Sequence, residues 1–167
     1  MSDAYLLDTN IASALWDELH LDHNEFWEKT RRLDGSTIYI SVITLAEIEY
    51  GLRVAPSIDI ERQKKVRARM GEFAILPFDR HVVESYAKLR SRLFVKHGGK
   101  DKQGRLRDKV VPDLWERTPD KLLGIQENDL WQASLAVERN LVLVTNDRMS
   151  RIVEVAGNDL RIESWRK

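Results

Sequence analysis

The chain has 167 residues, 43% of them hydrophobic, which is enough for one compact domain with its own core. Its 27 Lys and Arg balance its 27 Asp and Glu, so net charge offers no argument for nucleic acid, and any such argument rests on where the charges lie. The absence of cysteine excludes disulfides, thiolate metal centres and a cysteine nucleophile, and leaves oxygen atoms and four histidines as metal ligands.

The chain opens MSDAYLLDTN, without the basic start and apolar stretch of a signal peptide, and no apolar run approaches the roughly 18 residues of a membrane span. A soluble, cytoplasmic protein is expected. Tyr5 to Leu7 reads as a first strand that breaks off into Asp8, Thr9 and Asn10. Thr37 to Val42 reads as the second, followed by a helix from Thr44 to Val54 and another from Ile58 to Glu72. The latter carries Arg62, Lys64, Lys65, Arg67 and Arg69, a run that by itself reads as a solvated face.

A third strand is expected at Ala74 to Pro77. Asp79 then caps a helix in which Val82, Tyr86, Leu89 and Leu93 recur at helical spacing. Val95 to Gly124 interrupts the alternation with Gly98, Gly99, Gly104, Gly124, Pro112 and Pro119. It includes a basic stretch with Lys100, Lys102, Arg105 and Arg107. Residues 96–124 are therefore expected to form a loop insertion, and loops of that length inside domains are usually functional or mobile. A helix from Glu127 to Arg139, capped by Asn128, leads into a strand from Leu141 to Thr145, and a last strand is expected at Leu160 to Glu163. Strands alternating with helices predict an α/β fold, a three-layer α/β/α sandwich around a central parallel sheet, formed as a single domain over residues 1–167.

Four carboxylates stand out on this frame. In parallel α/β sheets ligands bind beyond the carboxyl ends of the strands, and Asp8 and Asp147 both lie at such ends. Glu47 falls one turn into its helix, where T-x-x-E with Thr44 also reads as a capping box. Asp129 falls in the first turn of its helix, where the helix dipole favours an acid by roughly 0.3–1 kcal/mol. If the four converge, repulsion is costly: two carboxylates about 4 Å apart repel by about 4 kcal/mol at an effective dielectric near 20. Magnesium or manganese, hard cations that prefer oxygen, would relieve that cost.

LLDTN, SVITLAEIEYGL and NDLWQASLAVERNLVLVTND, with its two aspartates 18 positions apart, are followed by RMSRI. Together, and in this order, these segments resemble the PIN-domain ribonucleases, in particular the VapC-like toxins of type II toxin-antitoxin pairs. The resemblance implies a Mg2+- or Mn2+-dependent endoribonuclease that hydrolyses RNA phosphodiester bonds. Carried over by position, Asp8, Glu47, Asp129 and Asp147 are the catalytic acids. Asp8, Asp129 and Asp147 would hold the metal, Glu47 would bind a second ion or orient water, and Asn10 and Thr145 would support them. A cognate antitoxin whose C-terminal segment covers the acidic crevice, and a homodimer, are also implied. The long basic segment departs from the shorter toxins, which have a brief loop there.

RNA approaching an acidic centre needs a positive path, for which Lys100, Lys102, Arg105 and Arg107, and the Arg62 to Arg69 helix, are the candidates. Trp115 and Trp131 could offer stacking surfaces, although Trp131 also reads as helix packing beside Leu130. His20, His23, His81 and His97 accompany no G-x-S-x-G elbow, so surface or cap roles are expected of them. The alternatives are a catalytically silent PIN-like module that binds RNA or protein, and a Mg-dependent phosphatase. The phosphatase is disfavoured because Asn10 stands where those enzymes usually carry a second aspartate.

Overall fold

A computed structural model describes residues 3–33, 36–56, 59–97, 102–105, 117–118, 121–122 and 125–166. Strand β1 (Ala4–Leu7) leads directly into α1 (Thr9–Trp16) and then α2 (His23–Arg32). The chain continues through β2 (Thr37–Ser41), α3 (Val42–Val54), α4 (Ile60–Met70), β3 (Ala74–Leu76) and α5 (Arg80–His97). A short antiparallel pair, β4 (Arg117–Thr118) and β5 (Lys121–Leu122), precedes α6 (Glu127–Glu138), β6 (Val142–Val144), α7 (Ser150–Ala156) and β7 (Arg161–Glu163).

The central sheet is parallel throughout, in the order β3-β2-β1-β6-β7. Side chains alternate along each strand, so the sheet feeds two cores. Leu6 and Leu143 point into one, with Leu89 and Leu93 of α5, Leu130 of α6 and Ile152 of α7. Leu7, Val142 and Val144 point into the other, with Ile11 and Trp16 of α1, Phe26 of α2 and Ile48 of α3. Both faces are covered, which is the expected three-layer sandwich. The chain moves outward from β1 to β3 and then returns to place β6 on the other side of β1. Such a reversal of strand order opens a crevice at the strands' carboxyl ends.

Several local expectations need correction. Thr44 does not cap α3: the helix begins two residues earlier, straight out of β2, and Ser41 Oγ accepts from the Thr44 backbone N–H at 3.1 Å. With no loop between strand and helix, the last strand residue serves as the cap, and the Thr44 hydroxyl is buried and used elsewhere. Nor does Asn128 cap α6, because the cap position falls on Gln126, which makes no side-chain bond there. Asp79 does cap α5, accepting from the N–H groups of His81 and Val82 at 3.0 and 3.2 Å. Helices α1, α2 and α7 carry no clear signal in the sequence. Only Phe26 of α2 is buried, so its sequence lacks an apolar stripe, and α1 is hidden beneath the acidic motif.

Helix α5 runs on to His97, past the expected start of the insertion. Within the insertion the described residues are 96–97, 102–105 and the β4–β5 pair; Lys100, Arg107 and Trp115 lie outside them. No helix among the described residues is long and apolar enough to cross a membrane.

Candidate active site

Strands β1 and β6 pair with Leu7 opposite Val144, so the next residues, Asp8 and Thr145, emerge side by side at the crevice floor. The Asp8 backbone N–H closes the ladder onto the Val144 carbonyl at 3.0 Å. Its side chain then caps α1 through a 2.7 Å bond from the Thr9 N–H. Asp8 is only 5% exposed, and burial pushes its carboxyl above the usual range, opposed by donors from Thr145 and Thr9.

Thr145 Oγ1 donates to Asp8 Oδ2 at 2.8 Å and accepts from the Asp147 backbone N–H at 3.1 Å, linking the two acids through one hydroxyl. Asn10 provides a second link. Its Nδ2 donates to Asp8 Oδ2 at 3.0 Å and to Asp147 Oδ2 at 2.9 Å, while its Oδ1 is buried without a partner. The two carboxylate acceptors fix the amide's orientation, since the reverse would set oxygen against oxygen. Asp147 is exposed, so this pair spans from core to solvent.

Glu47 stands on α3 across the crevice. Thr9 Oγ1 donates to its Oε2, and Asn128 Nδ2 donates to its Oε1 at 2.6 Å. Asp129, next to Asn128 in the first turn of α6, receives no hydrogen bond from a described residue. Its carboxyl is pushed up to about 7, first by burial and then by the charges of Asp8, Asp147 and Glu47. All four sequence-selected acids thus come within electrostatic reach of one another. None has a Lys, Arg or His partner among the described residues, whereas the surface acids Asp17, Glu18, Glu49 and Asp159 all do.

The donor set suits a hard divalent cation: four carboxylates, no thiolate and no imidazole. Among the described residues, no three acidic or histidine side chains are gathered at ligand spacing; Asn10 bridges Asp8 and Asp147, and Asn128 donates to Glu47. Sequence reasoning misses Thr9 and Asn128 as partners of Glu47, and the buried Gln132 below them. Thr9 lies within the LLDTN motif, and Asn128 reads as a cap. Nothing local marks Gln132.

A family model for the PIN domain matches residues 5–157. The chain belongs to the PIN domain family. Among solved structures, this PIN domain is similar to a chain of VapBC2 from Rickettsia felis, bound to a DNA fragment from their promoter. The identity is 25% and the TM-score 0.70, with 98% of this chain and 99% of that one covered. It is also similar to a chain of the DNA-bound VapBC from Salmonella typhimurium, at 21% identity and TM-score 0.69 over 98% and 99% of the two chains. VapBC-1 from nontypeable Haemophilus influenzae aligns at 23% identity and TM-score 0.67 over the same shares, and with the Salmonella structure it supports the fold alone. No curated protein matches the chain.

Elsewhere on the PIN domain, the cations of α4 are engaged. Arg62 binds Asp17, Lys64 binds Glu61, Arg67 binds Glu49, and Lys65 and Arg69 reach Glu18. Lys102 and Arg105 are exposed. Trp131 packs against its neighbours, stacked on Tyr86 with ring centroids 3.8 Å apart and edge-on to Phe78.

Proposed function

We propose that the protein is a metal-dependent endoribonuclease acting as the toxin of a toxin-antitoxin pair, with Asp8, Glu47, Asp129 and Asp147 as its catalytic acids. The observation that carries this reading is the placement of four carboxylates around one crevice. Four acids from four segments face one crevice without a basic partner among the described residues, and Asp129 is pushed up to about 7 by burial and then by the charges of the other three. A packing core has no use for such repulsion, whereas a divalent-cation site does.

Asp8, Asp129 and Asp147 would hold Mg2+ or Mn2+, and Glu47 would hold a second ion or orient the attacking water. Bound there, the metal would lower the pKa of water and polarise the scissile phosphoryl group. The chain's own residues prepare the site. Thr145 and Thr9 donate to the buried Asp8 and so favour its carboxylate form against the effect of burial, and Asn10 holds Asp8 and Asp147 at a common amide. Burial and its neighbours' charge both oppose ionisation of Asp129, so a cation that offsets that charge would favour its carboxylate form.

The substrate on this reading is RNA, with Lys100, Lys102, Arg105 and Arg107 of the insertion binding phosphates through interactions that weaken as salt rises. The likeness to the Rickettsia felis VapBC2 chain, at 25% identity, supports a cognate antitoxin as partner. A groove beside the crevice, lined by Thr9, Asp17, Glu47, Leu52 and Asp59, offers a course for its covering segment. A homodimer, and one domain over residues 1–167 with the insertion as an appendage, complete the proposal.

The test is cleavage of a panel of single-stranded and structured RNAs with Mg2+, with Mn2+ and with chelator, beside Asp8→Asn. Metal-dependent cutting that the variant loses is the expected result. Binding of RNA or metal without cutting by the wild type would favour the silent module instead.

A further inference from the structure

Glu47 is held from two sides, by the first residue of α1 and by the first turn of α6. Asn128 belongs to a residue type that ordinarily caps helices, yet here it sits inside α6 and sends its amide across the crevice to Glu47. One turn further along α6, Gln132 repeats the arrangement in the interior. It is 1% exposed, and its Nε2 donates at 2.8 Å to Thr44 Oγ1, which lies 3.3 Å from the α3 cap Ser41 Oγ and 3.4 Å from the Leu7 carbonyl. The two amides are four residues apart on α6 and their acceptors three apart on α3, so both rungs join the same pair of helix faces. Gln132 leaves its Oε1 buried and unpartnered, a cost that an apolar residue of the same size would avoid.

A neutral donor has a property here that a basic residue lacks. Lysine or arginine at position 128 would hold the Glu47 carboxylate and cancel its charge. An amide holds the carboxylate and leaves the charge in the crevice.

We infer that Asn128 is a positioning residue, whose amide fixes the Glu47 carboxylate against the Asp129 side of the crevice for cation binding, with the Gln132–Thr44 rung keeping α6 and α3 in register behind it. This rests on the reading above only in taking a divalent cation as the ligand of the crevice.

The experiment measures Mn2+ affinity of the full chain, from the electron paramagnetic resonance signal of free Mn2+, for the wild type, Asn128→Ala, Asn128→Asp, Glu47→Ala and the Asn128→Ala/Glu47→Ala double variant. RNA cleavage is assayed in parallel, and circular dichroism establishes that each variant is folded. Asn128→Ala is expected to weaken Mn2+ binding about tenfold. Asn128→Asp, which keeps the shape but replaces the donor by an acceptor, is expected to weaken it further. In the Glu47→Ala background Asn128→Ala should add nothing. Unchanged affinity in Asn128→Ala and Asn128→Asp overturns the inference, as does an undiminished Asn128→Ala effect without Glu47, or a wild type that binds no Mn2+. A wild type that binds Mn2+ but cuts no RNA removes the ribonuclease reading, while the affinities still decide the role of Asn128.

Discussion

The Thr145 hydroxyl donates to Asp8 Oδ2 at 2.8 Å, and the two residues are the first beyond the paired ends of β6 and β1. One side-chain bond therefore spans the point where the strand order reverses, and it falls on the most buried acid of the crevice.

Thr145→Val keeps the shape and removes this donor. A hydrogen bond to a charged group contributes about 1.5–3 kcal/mol. Asp8, already raised by burial, should rise further, since the Thr145 bond opposes that rise. The acid limb of the cleavage profile should move to higher pH, with a larger loss on the acid side than on the alkaline side. A pH series of kcat/KM checks this, and a uniform loss at all pH values would argue for a steric role.

Asp129 gives the metal-free protein a stability that depends on pH. Its pKa of about 7 in the folded state exceeds the ordinary 3.8, so the folded protein holds an extra proton between these values. Stability therefore falls as pH rises through that window. Asp17, Glu49, Asp79 and Glu154 are lowered instead, and their contributions are lost only as pH falls below the ordinary carboxylate range. Asp129→Asn should stabilise the metal-free protein by on the order of 1–2 kcal/mol at pH 8, discounted for the solvent-facing side of the crevice. The gain should shrink steadily toward about pH 4, as followed by urea unfolding in chelator.

Mn2+ should raise the melting temperature of the wild type, since a ligand of the native state at about 100 times its Kd adds about 2.7 kcal/mol. Chelator should reverse the gain. Asp8→Asn should largely abolish it while melting no lower than the wild type without metal, because it removes repulsion. A sharp drop in its metal-free melting temperature would mean that the Asp8 carboxylate stabilises the fold.

Neutralising Lys100, Lys102 and Arg105 together should flatten the dependence of RNA affinity on salt, by about 0.7 in log–log slope for each phosphate of a single strand that is no longer neutralised. Arg67→Gln on α4 should leave the slope unchanged, because that guanidinium is held by Glu49 through bonds of 2.7 and 3.1 Å. An unaltered slope in the triple variant would return the insertion's cations to ordinary surface charge.

The strands and the four acids are legible in the sequence because their signals are local. Apolar runs such as LVLV announce a buried strand, and a carboxylate just beyond one announces a strand end. The parallel sandwich follows from the alternation of such runs with helical spacing. Local signals also mislead: T-x-x-E at Thr44 and Asn128 before Asp129 both read as helix starts, and both residues make their side-chain bonds across helices instead. Which strand lies beside β1 is written nowhere locally, because β1 and β6 are neighbours by pairing and not by sequence. That pairing alone sets Thr145 against Asp8, as the docking of α6 on α3 sets Asn128 against Glu47. Residue type and periodicity determined the elements and the acids. Long-range packing decided which hydroxyls and amides hold those acids in place, since a hydrogen bond between distant segments depends on where the folded backbone brings them.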